Sequence, residues 1–143
     1  MIYSPLMDDT GLSQKIEAAA DAYGIRLALL FGSAVSGRMH DGSDVDVAIL
    51  LQCPDLPPGR FATLYHELQQ ALPDRDLDLA LLNRADPLFL KKITESCRLL
   101  YGDVRDLQQL KILAFRRYQD HRRFLRLERE YVRRFIREAR GHP

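Results

Sequence analysis

Two pairs of residues with catalytic potential follow one another in the first third of the chain. Gly32 and Ser33 end one apolar run, and Asp44 and Asp46 begin the next one. Alternate residues of a strand point to the same face, so we expect the two carboxylates to enter one cleft. Their charges repel each other unless a cation lies between them. Because Mg²⁺ binds one or two carboxylates together with substrate phosphates, the pattern predicts metal-dependent nucleotide chemistry.

The Gly32-Ser33 pair supplies the second half of such a site. A glycine turn that opens a helix presents backbone N–H groups and a hydroxyl to an anion, so we expect both residues to hold nucleotide phosphates. Arg38 and His40 lie between the two motifs, and we prefer Arg38 as a further contact to a triphosphate. Either motif alone is weak, because Ser at a helix start and Asp at a turn are common.

A site for phosphoryl transfer with two metal ions holds the ions about 3.5–4 Å apart. Two carboxylates rarely suffice to bind both ions, so we expect a third acidic residue on a neighbouring strand. Asp76 and Asp78 begin a later apolar run and would face the same side of a strand. We prefer Asp78, which lies one step deeper in the run. Asp76 is the alternative, and an exposed salt bridge is its ordinary explanation.

Apolar periodicity indicates the elements that carry these residues. Helices and strands alternate in the sequence, which predicts a mixed α/β (α+β) domain over residues 1–103. A helical tail without internal Gly or Pro follows over residues 104–143, as one helix or two. The predicted helices before the tail cover 10–23, 61–72 and 87–95, and the strands cover 25–31, 44–51, 76–82 and 97–101.

Composition narrows the class of protein. The chain has 143 residues, of which 46% are apolar, and this is typical of one globular domain with a core. No apolar run is long enough to span a bilayer, and the first residues, 1–5, lack the pattern of a secretory signal. Cys53 and Cys97 have neither metal-site nor CxxC spacing. We therefore expect a cytoplasmic protein with reduced thiols.

Charge divides the chain into two unequal parts. Residues 1–103 hold nine basic and fifteen acidic residues, a net of −6, whereas residues 104–143 hold twelve and five, a net of +7. The basic tail also has an apolar stripe, and if the helix projects from the body, another surface must cover that stripe. A solvated face, nucleic-acid binding and docking to a protein partner are all open.

The combined motif resembles a known family. Gly32-Ser33, a ten-residue gap, Asp44-Val45-Asp46 and a later strand with Asp78 resemble the minimal nucleotidyltransferase (MNT) branch of the DNA polymerase β-like superfamily. The resemblance covers about residues 12–102 and continues into the helical C-terminus. It implies a small mixed sheet flanked by helices. Within that branch, single-domain proteins of this length resemble the antitoxins of HEPN–MNT toxin–antitoxin pairs. With this resemblance, we prefer docking to a protein partner for the basic tail and regard direct nucleic-acid binding as the least favoured explanation.

The resemblance also implies an activity, which is Mg²⁺-dependent transfer of AMP from ATP to a tyrosine hydroxyl of a cognate HEPN ribonuclease toxin. Carried onto this sequence, Asp44, Asp46 and Asp78 would bind metal, with two ions expected. Asp78 would also help to deprotonate the hydroxyl, and Gly32 and Ser33 would hold the β- and γ-phosphates. One alternative is a non-catalytic antitoxin that acts by occlusion. The other is transfer to a small molecule such as an aminoglycoside, which is less favoured because a second substrate domain is absent.

Overall fold

Four strands form one mixed sheet in the computed structural model, which describes residues 9–38, 40 and 42–141. Their order across the sheet is β3-β2-β1-β4. β1 pairs antiparallel with β2 and β4, and β2 runs parallel to β3. The mixed sheet confirms the predicted fold class. Residues 1–5, from which we predicted that there is no secretory signal, lie outside the described residues. The strands are β1 (Ile25–Phe31), β2 (Val45–Leu51), β3 (Leu77–Leu81) and β4 (Cys97–Tyr101).

Among the described residues, five α-helices accompany the sheet, and local signals explain where two of them begin or end. α1 ends at Gly24, whose left-handed φ of 67° allows its N–H to bond to the Ala20 carbonyl. α4 begins after Asp86, whose side chain accepts a hydrogen bond from Phe89 N–H, and Pro87 fills the first helical position. The helices are α1 (Thr10–Tyr23), α2 (Ser33–Ser36), α3 (Pro58–Gln69), α4 (Pro87–Glu95) and α5 (Val104–Gly141).

Helices cover both faces of the sheet, so the strands are buried on two sides. α1 and α3 pack on one face, where their apolar side chains, such as Ile16 and Leu64, join those of alternate strand residues. α4 and the beginning of α5 pack on the other face, around Leu29, Leu90 and Leu110. Burial on both faces explains why β1 and β2 are nearly continuous apolar runs rather than alternating ones.

Three elements differ from the predicted bounds. β2 begins at Val45 and β3 at Leu77, one residue later than predicted in each case, because Val45 N–H bonds to the Asp76 carbonyl where the two strands first meet. α3 begins at Pro58, where a proline fits the first turn, and ends at Gln69 rather than at 72. β3 ends at Leu81, one residue earlier than predicted. Asp44 therefore precedes β2 rather than beginning it.

The C-terminal tail is one helix of 38 residues, about 57 Å long at 1.5 Å per residue. Its buried residues are Leu107, Leu110 and Ala114, and none of the described residues after Ala114 is buried. The part of α5 after Ala114, which we call its distal part, is thus not buried by the other described residues. None of the described helices combines the length and apolarity needed to cross a membrane. Cys53 and Cys97 are free thiols.

Candidate active site

A cleft of about 620 Å³ lies where the turn after β1, strands β2 and β3, and helix α4 meet. It contains five of the six residues proposed from the sequence for phosphate or metal binding. Three separate stretches of sequence therefore meet at one place. The residues that line it are Phe31, Gly32, Ser33, Ser36, Arg38, Asp46, Asp78, Ala80, Phe89, Lys92, Glu95 and Ser96.

Gly32 permits a close approach between the turn and the carboxylate of Asp46. Its φ is 72°, and a Cβ atom built on it would lie 2.1 Å from Asp46 Oδ2. Phe31, the residue before it, is paired with Asp46 across β1 and β2. The Gly32 carbonyl accepts hydrogen bonds from the N–H groups of Val35 and Ser36, which closes α2. Only glycine combines this backbone conformation with this lack of a side chain.

Asp46 and Asp78 occupy paired positions on the parallel strands β2 and β3. The pKa of Asp46 is raised to about 6, first because burial removes water from its carboxylate. The charge of Asp78, a hydrogen bond with Asp78 and the charge of Asp44 raise it further, whereas the ammonium of Lys92 lowers it. Asp46 is half-buried and Asp78 exposed. The pair therefore favours a proton or a cation between its two carboxylates.

The two other acidic candidates occupy different positions. Asp44 lies one residue before β2, is exposed and is not among the residues that line the cleft, although its charge acts on Asp46. Asp76 precedes β3, and its carbonyl rather than its carboxylate bonds to Val45. Over residues 9–38, 40 and 42–141, no group of three or more His, Cys, Asp or Glu side chains could hold a metal ion. The expected three-carboxylate cluster is not assembled, and the ligand role of Asp44 stays a prediction.

The carboxylate pair nevertheless has the donor chemistry of a Mg²⁺ site. Mg²⁺ usually takes one or two carboxylates and completes its octahedron with water and substrate phosphates. Asp46 and Asp78 supply two such carboxylates, and their mutual repulsion is the cause of part of the raised pKa of Asp46. A divalent cation would remove this repulsion. The residues present therefore fit a metal ion whose remaining coordination positions are filled by a bound nucleotide and water.

Hydrogen bonds hold the segment that carries the DxD motif. His40 N–H donates to Ser43 Oγ over 2.9 Å, and Ser43 N–H donates to the His40 carbonyl over 3.0 Å. Arg75 donates to the carbonyls of both residues, over 2.8 Å and 3.2 Å. Ser43 therefore stabilises the turn before β2. Arg38 lines the cleft, whereas His40 is not among its lining residues.

Helix α4 contributes a wall of the cleft that sequence analysis missed. Phe89 packs edge-to-face on Phe31, with ring centroids 6.0 Å apart. Lys92, Glu95 and Ser96 complete this wall. Lys92 and Arg38 are the two Lys or Arg residues that line the cleft in the described part of the chain. The helix itself was predictable from Asp86-Pro87, but no local signal indicates which of its turns faces the cleft.

Comparison with known proteins agrees with this geometry. Residues 14–106 match the family model described as polymerase beta, nucleotidyltransferase. No curated protein sequence matches the chain. A solved structure described as a toxin–antitoxin with AMP-PNP is 26% identical, with a TM-score of 0.67 over 87% of this chain and 97% of that chain. A variant of a toxin–antitoxin called MntA–HpeT, with two Asp-to-Glu substitutions, is 25% identical, with a TM-score of 0.66 over the same shares.

A third solved structure shares the fold. It is described as a tri-AMPylated HEPN toxin of Shewanella oneidensis in complex with an MNT antitoxin. The identity is 24%, and the TM-score is 0.62 over 87% of this chain and 95% of that chain. The family match includes Gly32, Ser33, Asp46, Asp78 and Lys92, and it spans more than half of the 143 residues. The chain belongs to the polymerase β nucleotidyltransferase family.

Proposed function

We propose that this chain is an antitoxin that transfers AMP from ATP to a tyrosine hydroxyl of a cognate HEPN ribonuclease toxin and thereby neutralises it. The observation that carries the proposal is the pairing of Asp46 with Asp78 beside Gly32-Ser33 in one cleft. The likeness at 26% identity to a toxin–antitoxin that holds AMP-PNP, an ATP analogue, supports both the nucleotide and the biological role.

The cleft suits a triphosphate held between positive groups and backbone N–H groups. Gly32 and Ser33 open α2 on one side of it, and we assign the β- and γ-phosphates to them. Arg38 and Lys92 supply cationic side chains among the lining residues. With the phosphates held there, the α-phosphate would lie towards Asp46 and Asp78. Such positioning accounts for most of the catalysis in phosphoryl-type transfer.

The reaction forms one bond and breaks one. The tyrosine oxygen attacks the α-phosphorus, the bond from that phosphorus to the oxygen bridging the β-phosphate breaks, and pyrophosphate leaves. We assign the tyrosine proton to Asp78, because its carboxylate is exposed where an acceptor must enter. Mg²⁺, when bound by Asp46 and Asp78 with the predicted help of Asp44, supplies stabilisation of the negative charge that develops on the phosphate oxygens.

The distal part of α5 is our candidate for docking the toxin. Leu125, Val132, Phe135 and Ile136 continue the helix face that packs on α4, at about 100° per residue, and none of them is buried by the described residues. An apolar helix face of this kind requires a cover in solution. A helical partner would bury it and bring its own tyrosine towards the cleft. The exposed apolar residues of α5 beyond Ala114 are Phe115, Phe124, Leu125, Leu127, Tyr131, Val132, Phe135 and Ile136.

The test is transfer of label from ATP labelled at the α-phosphate to a co-expressed HEPN partner. Asp44→Asn combined with Asp46→Asn should abolish labelling, because neutral amides bind a divalent cation weakly and do not balance its charge. The matched control is Asp55→Asn with Asp74→Asn, which changes the same net charge at exposed positions outside the cleft. The control should label the partner as the unmodified chain does.

Two outcomes would contradict the proposal at different points. Undiminished labelling by the Asp44/Asp46 variant would reject the active site. Full neutralisation of the toxin by that variant, despite loss of labelling, would favour an antitoxin that acts by occlusion. Asp78→Asn tests the third carboxylate separately and should reduce labelling more than Asp76→Asn, since Asp78 lines the cleft.

A further inference from the structure

The distal part of α5 carries a regular row of arginines, which we call the arginine ridge. Neighbouring members are three or four residues apart, so they recur about once per helical turn. All of them are exposed. The ridge consists of Arg122, Arg126, Arg129, Arg133, Arg137 and Arg140.

We infer that the arginine ridge binds the phosphodiester backbone of a nucleic-acid strand. At about 100° per residue, its six members fall within a sector of about 80° around the helix. From the first to the last, they cover about 27 Å of helix at 1.5 Å per residue. A row of single positive charges about one turn apart is complementary to a chain of single negative charges. It is not matched to one compact anion.

The ridge guanidinium groups are not neutralised by the residues that the structure describes. In the parts of the chain that the structure describes, no ion pair within 4.0 Å includes any of the six. Glu130 borders the ridge, four residues after Arg126 and three before Arg133, and in the described residues it forms no ion pair within 4.0 Å with either. A solvated face laced with intrahelical ion pairs, which is the ordinary explanation of a charged helix, is therefore not what the structure has.

The ridge lies on a different side of α5 from the face that packs on the body. Leu107, Leu110 and Ala114 define the packed face, and the ridge is centred about 100° from it around the helix axis. The family resemblance favours a protein partner for the tail, and the structure divides the tail into two faces. Two faces allow two partners, so this inference does not depend on the proposed function.

The type of basic residue favours phosphate as the ligand. Residues 104–143 contain eleven arginines and a single lysine, and the planar guanidinium binds phosphate oxygens in pairs, whereas an ammonium acts as a point charge. A concavity of about 350 Å³ opens among these side chains, with room for phosphate groups. Its lining residues are Gln119, Arg122, Arg123, Leu125, Arg126 and Arg129.

A lipid surface fits the helix less well. An interfacial helix buries its apolar half in the membrane, but Asp120, Glu128 and Glu138 lie in that half of α5. Three carboxylates at the membrane boundary are costly to desolvate and are repelled by anionic lipids. We therefore commit to nucleic acid and use vesicles as an arm of the test.

The test measures binding of the full chain to labelled oligonucleotides of mixed sequence, as single-stranded RNA and as single-stranded DNA, by fluorescence anisotropy at several salt concentrations. The ridge variant is Arg126→Gln, Arg129→Gln and Arg133→Gln. The matched variant is Arg116→Gln, Arg117→Gln and Arg134→Gln, which removes the same charge from the same helix outside the ridge. Glutamine is a good helix former, and circular dichroism checks that both variants stay helical.

Binding should weaken with salt, with a slope of log K against log salt of about −0.7 for each phosphate contact on a single strand. Loss of three contacts should reduce that slope by about 2 and weaken binding at about 0.1 M salt by about 100-fold. The matched variant should retain most of the salt slope and most of the affinity. Arg126→Lys, Arg129→Lys and Arg133→Lys should keep most of the slope, because the charges remain, while losing affinity with the paired hydrogen bonds.

Three results would overturn the inference. The first is absence of binding to both oligonucleotides at about 0.05 M salt, where phosphate contacts are strongest. The second is equal weakening by the ridge variant and the matched variant, which would mean that only net charge matters. The third is binding to vesicles of anionic phospholipid without binding to either oligonucleotide. Preference for RNA over DNA would identify the strand through its 2′-hydroxyl.

Discussion

At the scale of single residues, the candidate site depends on how closely a glycine turn approaches a carboxylate. Gly32 has a positive φ, and the space that a Cβ would need is filled by the side chain of Asp46. Asp46 in turn lies between the negative charges of Asp78 and Asp44 and the positive charge of Lys92. Small changes at these positions should therefore alter the site more than they alter the fold.

Gly32→Ala is predicted to abolish nucleotidyl transfer. The new Cβ would lie 2.1 Å from Asp46 Oδ2, so the carboxylate must move out of its position. Gly37→Ala is the matched control, because Gly37 also has a positive φ, 79°, but nothing lies within 4 Å of its Cβ. Gly37→Ala should lose about 1 kcal/mol of unfolding free energy from its left-handed backbone. Gly32→Ala should lose more, because a φ of 72° with a ψ of −146° is a conformation that essentially only glycine adopts. Equal activity of the two variants in the labelling assay would contradict the close approach.

Lys92→Ala is predicted to weaken use of ATP. Its ammonium is one of two cationic groups that line the cleft in the described chain, and a charged contact to phosphate is worth about 1.5–3 kcal/mol. The expected fall in kcat/KM for ATP is therefore about 10–100-fold. Lys91→Ala is the control, because Lys91 pairs with Glu95 and lies over the ring of Tyr118, 4.7 Å from its centroid. A similar fall for Lys91→Ala would contradict a specific role for Lys92.

At the scale of elements, the site depends on the register between β2 and β3. Asn83, in the short turn after β3, donates to the Leu51 carbonyl and accepts from the Leu51 N–H at the end of β2. At the opposite ends of the strands, Val45 N–H bonds to the Asp76 carbonyl. These bonds fix both ends of the parallel pair, and with it the pairing of Asp46 and Asp78.

Asn83→Ala is predicted to lower the unfolding free energy by about 2 kcal/mol, since it removes two hydrogen bonds worth about 1 kcal/mol each. Urea titration followed by circular dichroism measures the loss. Gln52→Ala serves as the control, because Gln52 is an exposed amide on the next loop. It should change the unfolding free energy by less than about 0.5 kcal/mol. Equal stability of the two variants would show that Asn83 does not hold the strand end.

At the scale of the whole molecule, α5 joins a packed body to an uncovered helix. Its first three turns belong to the core that covers one face of the sheet, and Arg26 anchors its start through Asp106 over 2.8 Å. This ion pair lowers the pKa of Asp106. The distal part adds no buried residue among those described, so it should contribute to the binding of partners rather than to the stability of the fold.

Removal of residues 121–143 is predicted to leave the fold stable while abolishing AMP transfer to the partner. All buried residues of α5 precede the cut, so the midpoint of thermal unfolding should change little. Leu110→Ala is the contrasting variant, because Leu110 is buried, and it should cost about 2–5 kcal/mol. Unfolding of the truncated chain near the midpoint of Leu110→Ala would contradict the division of α5. Full labelling of the partner by the truncated chain would contradict the docking role.

The sequence by itself determined the local elements and the motif. Strand β1, the turn at Gly32-Ser33 and the helix start at Asp86-Pro87 follow from apolar runs and capping residues, which act over a few positions. The spacing of the two motifs was sufficient to indicate the nucleotidyltransferase family, which the match over residues 14–106 confirms.

Only the tertiary structure decided which distant side chains share the cleft. Asp78 rather than Asp76 faces it, and Lys92 enters it, because strand register and helix packing depend on contacts between residues far apart in sequence. The same applies to α5. Its periodicity predicts faces, but only packing on the body shows that one face is covered and that the arginine ridge is not.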